Sequence, residues 1–266
     1  MQKSPNIKHT IVLLVFLCFG GASLYAQYPE VKERVKYLPN FDNKTLHYGY
    51  FFGFNNFGYK IEHAPDFLAP NFNREYEGLV RIGGRDLPNI ELVKNSGFNV
   101  GLIGDLRLHK YFNLRIEPGL YYTQRDLIFP EELSDVLPTE ADRLREVKST
   151  YIHLPLLIKF SAERVNNFRP YLLGGVSTSF NLSSNAKNND DNFNNVFRVK
   201  TQTFNYEVGF GIDFYLVYFK FSPSIRGIFS FGNELIPDNP QNGISPWTSN
   251  LTGLITQGVV FNLTFE

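Results

Sequence analysis

The chain is nearly empty of sulfur chemistry, with one cysteine and one methionine. The cysteine, Cys18, lies in the apolar stretch 11–21 (IVLLVFLCFGG), preceded by Lys3 and Lys8 and followed by the small residue Ala26 before Gln27. That stretch falls short of the roughly 20 apolar residues that cross a bilayer as a helix. It reads as a signal peptide over residues 1–26, removed on export. Leu17 is too large for the small residue that precedes a lipidated cysteine, which argues against a lipoprotein. The exported chain is then left with neither thiol nor disulfide.

Net charge is the second absence. Lys and Arg number 26, as do Asp and Glu, so the formal charge is zero. This removes the electrostatic footprint of a nucleic-acid binder and implies no strongly acidic or basic partner. Long apolar runs are the third, since nothing after Gly21 is long enough for a transmembrane helix. Histidine pairs with ligand spacing are also missing, so no metal or other cofactor is expected.

What is present is aromatic: 26 Phe and 15 Tyr bring aromatics to 16%. They recur with period two. From Leu46, one face reads Leu46, Tyr48, Tyr50, Phe52, Phe54 and the other His47, Gly49, Phe51, Gly53, Asn55. Alternation continues over 97–110, 113–129, 150–160, 169–182, 201–214, 218–231 and 251–266, with one greasy face each time. Residues 169–182 are ambiguous, because both faces carry apolar residues and Gly174-Gly175 reads as a bulge or bend. The intervening segments alternate long and short: 60–95, 109–112, 130–149, 161–168, 183–200, 215–217 and 232–250.

Backbone groups cannot stay unpaired in hydrocarbon, so strands enter a membrane only as a closed barrel. The pattern predicts an all-β fold: a single antiparallel transmembrane β-barrel of about eight strands, with short periplasmic turns and long extracellular loops. Residues 27–45, polar and proline-punctuated, form a periplasmic N-terminal segment, and 46–266 form the outer-membrane barrel. Outer-membrane lipid is the expected surrounding.

An eight-stranded interior is just wide enough to be filled by side chains. The polar faces supply Asp105, Arg107, Arg115, Glu117, Lys159, Glu207, Asp213, Lys220 and Arg226, with signs nearly balanced. A basic residue facing lipid at the midplane would cost roughly 2–4 kcal/mol. Inside, these groups pair, so we expect a lumen closed to ions by a structural charge network.

The histidines of the exported chain are His47 and His109 near strand ends, His63 in a long loop and His153 within a strand. His153 with Glu117 or Glu207 has the composition of a base and its orienter. No nucleophile motif accompanies it, and an interior polar partner is the commoner role. The series Gly97, Gly101, Gly104 lies in an alternating strand, where glycine relieves crowding rather than cradling phosphate. The Asn/Asp-rich segment 183–200 lacks calcium-loop spacing and reads as a solvated external loop. No enzyme activity and no small-molecule substrate are expected.

Specific residues carry a family resemblance. Tyr37-Leu38-Pro39-Asn40-Phe41-Asp42 followed by His47-Tyr48-Gly49-Tyr50-Phe51-Phe52-Gly53 resembles the start of the PorT family of Bacteroidetes outer-membrane proteins. Further matches are Gly97-Phe98-Asn99-Val100-Gly101-Leu102, Leu114-Arg115-Ile116-Glu117-Pro118-Gly119-Leu120, Tyr151 to Lys159, and Arg169-Pro170-Tyr171-Leu172-Leu173-Gly174-Gly175. The last kinds of motif are shared by a broad superfamily of barrels, and the N-terminal one discriminates more. The resemblance runs from about Tyr37 to the end of the chain. It implies a non-enzymatic role in type IX protein secretion, in some species also gliding, with other secretion components as partners. It brings no catalytic residues.

Overall fold

A computed structural model describes residues 35–63, 90–130, 137, 139–239, 241 and 245–266. The signal peptide at 1–26 and the first part of the 27–45 segment lie outside the described residues. Within Lys36–Glu266, alternating side chains become nine antiparallel strands. They are β1 (Leu46–His63), β2 (Glu91–Arg107), β3 (Phe112–Ile116), β4 (Gly119–Ile128) and β5 (Leu144–Ser161). Then follow β6 (Phe168–Asn181), β7 (Gln202–Tyr215), β8 (Lys220–Ser230) and β9 (Leu251–Phe265).

The ring has eight positions, because β3 and β4 both lie between β2 and β5 and share one position. The expected single strand 113–129 is broken at Glu117-Pro118. Proline has no N–H to give the ladder, and the Pro118 carbonyl instead accepts from Leu102 N at 2.9 Å. β1 pairs with both β2 and β9, so the sheet closes with no free edge.

Register fixes the tilt. Hydrogen-bonded neighbours lead from Leu46 through Leu106, Leu114, Ile158, Gly174, Val208, Gly227 and Val259 back to β1 at Asn56, ten residues beyond the start. Such a stagger forces the strands to incline to the barrel axis. The Gly174-Gly175 pair, read as a bulge or bend, makes no bulge, as the ladder runs through it without a shift on either side. Glycine is needed at 175 for close approach: a Cβ there would lie 2.2 Å from the Leu156 carbonyl oxygen.

The outward residues form the predicted greasy face, with Tyr48 81% and Leu102 65% exposed. A surface of this kind is stable against hydrocarbon and not against water. It ends at the outward polar residues Asn56, Ser96, Gln124, Thr150, Thr178, Gln202 and Gln257. β1, β2, β4 and β5 continue past that ring and carry exposed charge pairs such as Lys60–Glu62 and Lys148–Glu146. Strand β2 therefore begins at Glu91 and β5 at Leu144, earlier than the alternation placed them, and His63 closes β1 instead of lying in a loop. The short connections 108–111, 162–167 and 216–219 occupy the end of the barrel that also holds residues 36–45 and Glu266; this is the periplasmic end.

Candidate functional site

The site with most chemistry is the lumen, and it is layered. Within the membrane-facing band, odd-numbered residues of β1 to β7 and even-numbered residues of β8 and β9 point inward, while register shifts near Asn95 and at Glu62/His63 reverse the parity at the far ends of β2 and β9. This parity alone stacks charges from distant strands at one level.

In the periplasmic half Arg115, fully buried, reaches Asp105 at 2.7 Å, Glu266 at 2.6 Å and Glu117 at 3.4 Å. Glu266 also holds Lys220 at 2.7 Å, and Lys159 holds Asp213 at 2.7 Å. Lys220 lies 3.9 Å from Asp213, which accepts from Ser222 Oγ at 2.6 Å. Asn113 donates to Asp105. One layer up, Arg226 bridges Glu117 at 2.6 Å and Glu207 at 2.9 Å and donates to Tyr121 Oη at 3.1 Å. Eight of the nine charged residues singled out from sequence thus meet in this network. Arg107 does not: half-buried at the periplasmic mouth, it makes no ion pair among the described residues. It stands at the end of β2, one inward position below Asp105, where the lumen opens. The expectation that it pairs in the lumen is corrected accordingly.

His153 sits at the top of the network. One ring nitrogen lies 2.7 Å from Glu207 Oε1 and the other 2.8 Å from Ser179 Oγ. Serine, imidazole and carboxylate in series have the connectivity of an acyl-transfer relay. Here the adjoining cavity measures about 20 Å³, enough for a water molecule and too small for an acyl substrate. Ser179 lies mid-strand between β5 and β7, with Asn205 Nδ2 donating to its hydroxyl at 3.0 Å. The backbone N–H groups of such a strand are committed to the ladders and make no oxyanion hole. The geometry orders the lumen.

The extracellular half holds an apolar cluster. Tyr59, Leu127 and Val147 of the rising wall, with Ile90, Phe129 and Leu137 of the adjoining segments, pack against Phe197, Val199, Leu235, Trp247, Leu251 and Leu254 from the opposite loops and β9. Segment 183–200 is therefore no simple solvated loop. Asp191 and Asn192 are buried, and Asn192 donates to Asp238 at 3.0 Å. Arg125 lies 4.1 Å over the Tyr59 ring and donates to Tyr151 Oη at 2.5 Å and Thr256 Oγ1 at 2.9 Å. Beneath this lid, where the loop residue Glu234 lines the same small cavity as His153, burial pushes its carboxyl up, with Arg125 opposing. Hydrogen bonds from Thr139 hold the Asp142 carboxyl down, and Trp247 Nε1 donates to the Asp142 carbonyl at 2.9 Å.

A strap closes the other end. Residues 37–43, read from sequence as a lead without period, fold across the periplasmic mouth through the 3-10 turn Phe41–Asn43. Phe41 stacks on His47 at 4.6 Å and lies under Lys220 Nζ at 4.8 Å. Asp42 accepts from Tyr215 Oη at 2.6 Å and lies 3.6 Å from Arg169. Arg164 donates to the carbonyls of Tyr37 and Leu38.

Sequence reasoning missed Glu266, Arg125 and the strap. Glu266 was legible, since placing Phe265 outward places Glu266 inward. No metal-competent cluster of His, Cys, Asp or Glu occurs among the described residues.

The outer membrane protein β-barrel domain family matches residues 25–235. No protein of curated function matches the chain. Among solved structures, the outer membrane protein OprG from Pseudomonas aeruginosa is similar at 13% identity, covering 82% of this chain and 93% of its own, with a TM-score of 0.36. Ail, the attachment invasion locus protein of Yersinia pestis, solved with the heparin analogue sucrose octasulfate, shares 9% identity over 82% and 96% of the chains at 0.34. The outer membrane protein AlkL, solved in lipid bilayers, shares 12% identity over 82% and 87% at 0.35.

Proposed function

The chain belongs to the outer membrane protein β-barrel domain family and is an integral outer-membrane protein, and on that premise we propose that it is a non-enzymatic component of type IX protein secretion that acts through contacts at its two ends. The observation that carries the contact mechanism is the filled lumen: strap, ion pairs and apolar lid follow one another along the axis. A barrel filled in this way has no bore for a polypeptide. The assignment to type IX secretion, and to gliding where a species glides, is supported by the PorT-like residues Tyr37 to Gly53, whose first part is the strap. Deleting the gene should leave cargo bearing C-terminal sorting signals inside the cell. Unchanged cargo in the medium and on the surface would overturn the assignment. In planar bilayers the purified barrel should show no steady conductance, and large porin-like steps would refute the closed lumen.

A second reading, a surface barrel for adhesion or host defence, is favoured by the wall of β1, β2, β4 and β5 that rises past the outward polar ring. It predicts that exchanging segments 64–90 and 129–143 abolishes binding to a surface ligand while secretion stays normal.

A further inference from the structure

The ion pairs of the lumen leave some charge unspent at the periplasmic mouth. Outside the lumen network, segments 36–45, 107–111, 162–169 and 216–219 carry Lys36, Lys44, Arg107, Lys110, Arg164 and Arg169 against only Asp42 and Glu163. Arg164 and Arg169 hold the strap and the turns. Lys36, Lys44 and Arg107 have no acidic partner among the described residues, and Lys110 has only the exposed Glu163, at 2.7 Å. A pair so exposed is worth little and is easily exchanged.

A second observation marks a place for a ligand atom. His47 is 6% exposed, and its Nε2 lies 2.8 Å from the Phe41 carbonyl, which only a protonated Nε2 can satisfy. That leaves Nδ1 buried with no partner, an arrangement that costs free energy unless something fills it. His47, Arg107, Lys110 and Arg169 line one notch of about 10 Å³, the room of a single oxygen, together with the carboxylates of Asp42 and Asp213, which the basic groups around the notch outnumber.

We infer that the periplasmic mouth is a docking surface for an acidic segment of a periplasmic polypeptide, with one carboxyl group directed at the Arg107–His47 notch. An oxygen that carries a proton, or a water that the carboxylate orders, satisfies Nδ1 while Arg107 supplies the charge. The favoured source is a polypeptide, because Arg107 and His47 face inward, behind Leu106, Leu108 and Phe112 of the lipid-facing side. A headgroup whose acyl chains lie outside the barrel would have to pass that wall or the strap. The inference needs the sidedness of the barrel and not the secretion assignment, so each can fail alone.

The test uses the full mature barrel in zwitterionic nanodiscs, titrated into fluorescein-labelled octaglutamate and followed by anisotropy. Binding should weaken with salt, and octalysine should not bind. The double variant Arg107→Gln/Lys110→Gln, confirmed as folded by its heat-modifiable gel mobility, should weaken binding roughly five- to tenfold, as two exposed charge pairs allow. The control Lys60→Gln/Lys148→Gln at the far end should bind as the parent does. Equal loss in both variants, or no binding of octaglutamate to the parent, would overturn the inference. So would displacement by inorganic phosphate at the same concentration as by peptide, which would leave only a small-anion site. Retention of the peptide in zwitterionic discs but its loss on adding phosphatidylglycerol would instead assign the mouth to lipid headgroups and overturn the polypeptide reading.

Discussion

Arg115 and Arg125 are both fully buried in the same lumen, yet their surroundings differ in kind. Arg115, in the periplasmic half, touches three carboxylates. Arg125, in the extracellular half, makes an ion pair with none among the described residues and rests on the Tyr59 ring and three hydroxyls. The periplasmic half is thus a set of mutual obligations, in which each charge is tolerable only because its neighbours remain. The extracellular half is an apolar lid, contributed partly by loops, that can readjust around a lost side chain. Buried ion pairs are weak evidence for net stability, but breaking one from a single side is costly.

The comparison is sharpest at Arg115. Arg115→Met should strand Asp105, Glu117 and Glu266 together and destabilise the barrel by about 3–5 kcal/mol. The measurement is the guanidinium midpoint of protein folded into vesicles, at constant slope. Leu127→Ala, in the centre of the lid, should cost about 2–5 kcal/mol, toward the low end because the loops opposite it collapse into the space. If it proves costlier than Arg115→Met, the ranking of the two halves is wrong. Arg125→Met breaks no direct ion pair, although it takes from the buried Glu234 its opposing charge, and should cost about 1–3 kcal/mol, chiefly the penalty of hydroxyls left unpaired. A loss equal to that of Arg115→Met would erase the distinction between the two arginines.

The smallest expected effect concerns pH at the lid. Because Thr139 lowers the pKa of Asp142 in the folded protein, this cap is fully present above the ordinary carboxylate pKa of about 4 and is lost as pH falls through the lower folded value. The emission of Trp247, the only tryptophan, should therefore shift on acidification below that range, and the shift should be absent from Asp142→Asn. An identical shift in that variant would place the acid response elsewhere.

Much of this was open to reading from the chain. Alternation through Leu46 to Asn55 gave both faces of β1, and the same parity named eight members of the charge network. Asp105 and Arg115, ten residues apart, were placed on one side of the wall because adjacent antiparallel strands joined by a short turn preserve parity. Arg107 obeys that parity and still has no ion pair, since alternation states which way a side chain points and not how deep it lies. The strap escaped for a related reason. Tyr37 to Asn43 has no period, and its contacts with Arg164, Tyr215 and Lys220 are made across more than a hundred residues of chain. Segment 183–200 looked soluble because Asn and Asp are polar, while its Phe197 and Val199 found an apolar wall that only strands β1, β2, β4 and β5 could build.

The sequence by itself determined the membrane-facing band, the number of ring positions and the polarity of the lumen, because period two and the alternation of short and long connections are local properties. Only the tertiary structure decided which charges pair, where the barrel is sealed and which cations remain for a partner. Those outcomes depend on the stagger of the closed ring, which carries Leu46 round to Asn56 and sets the height of every inward side chain relative to its neighbours.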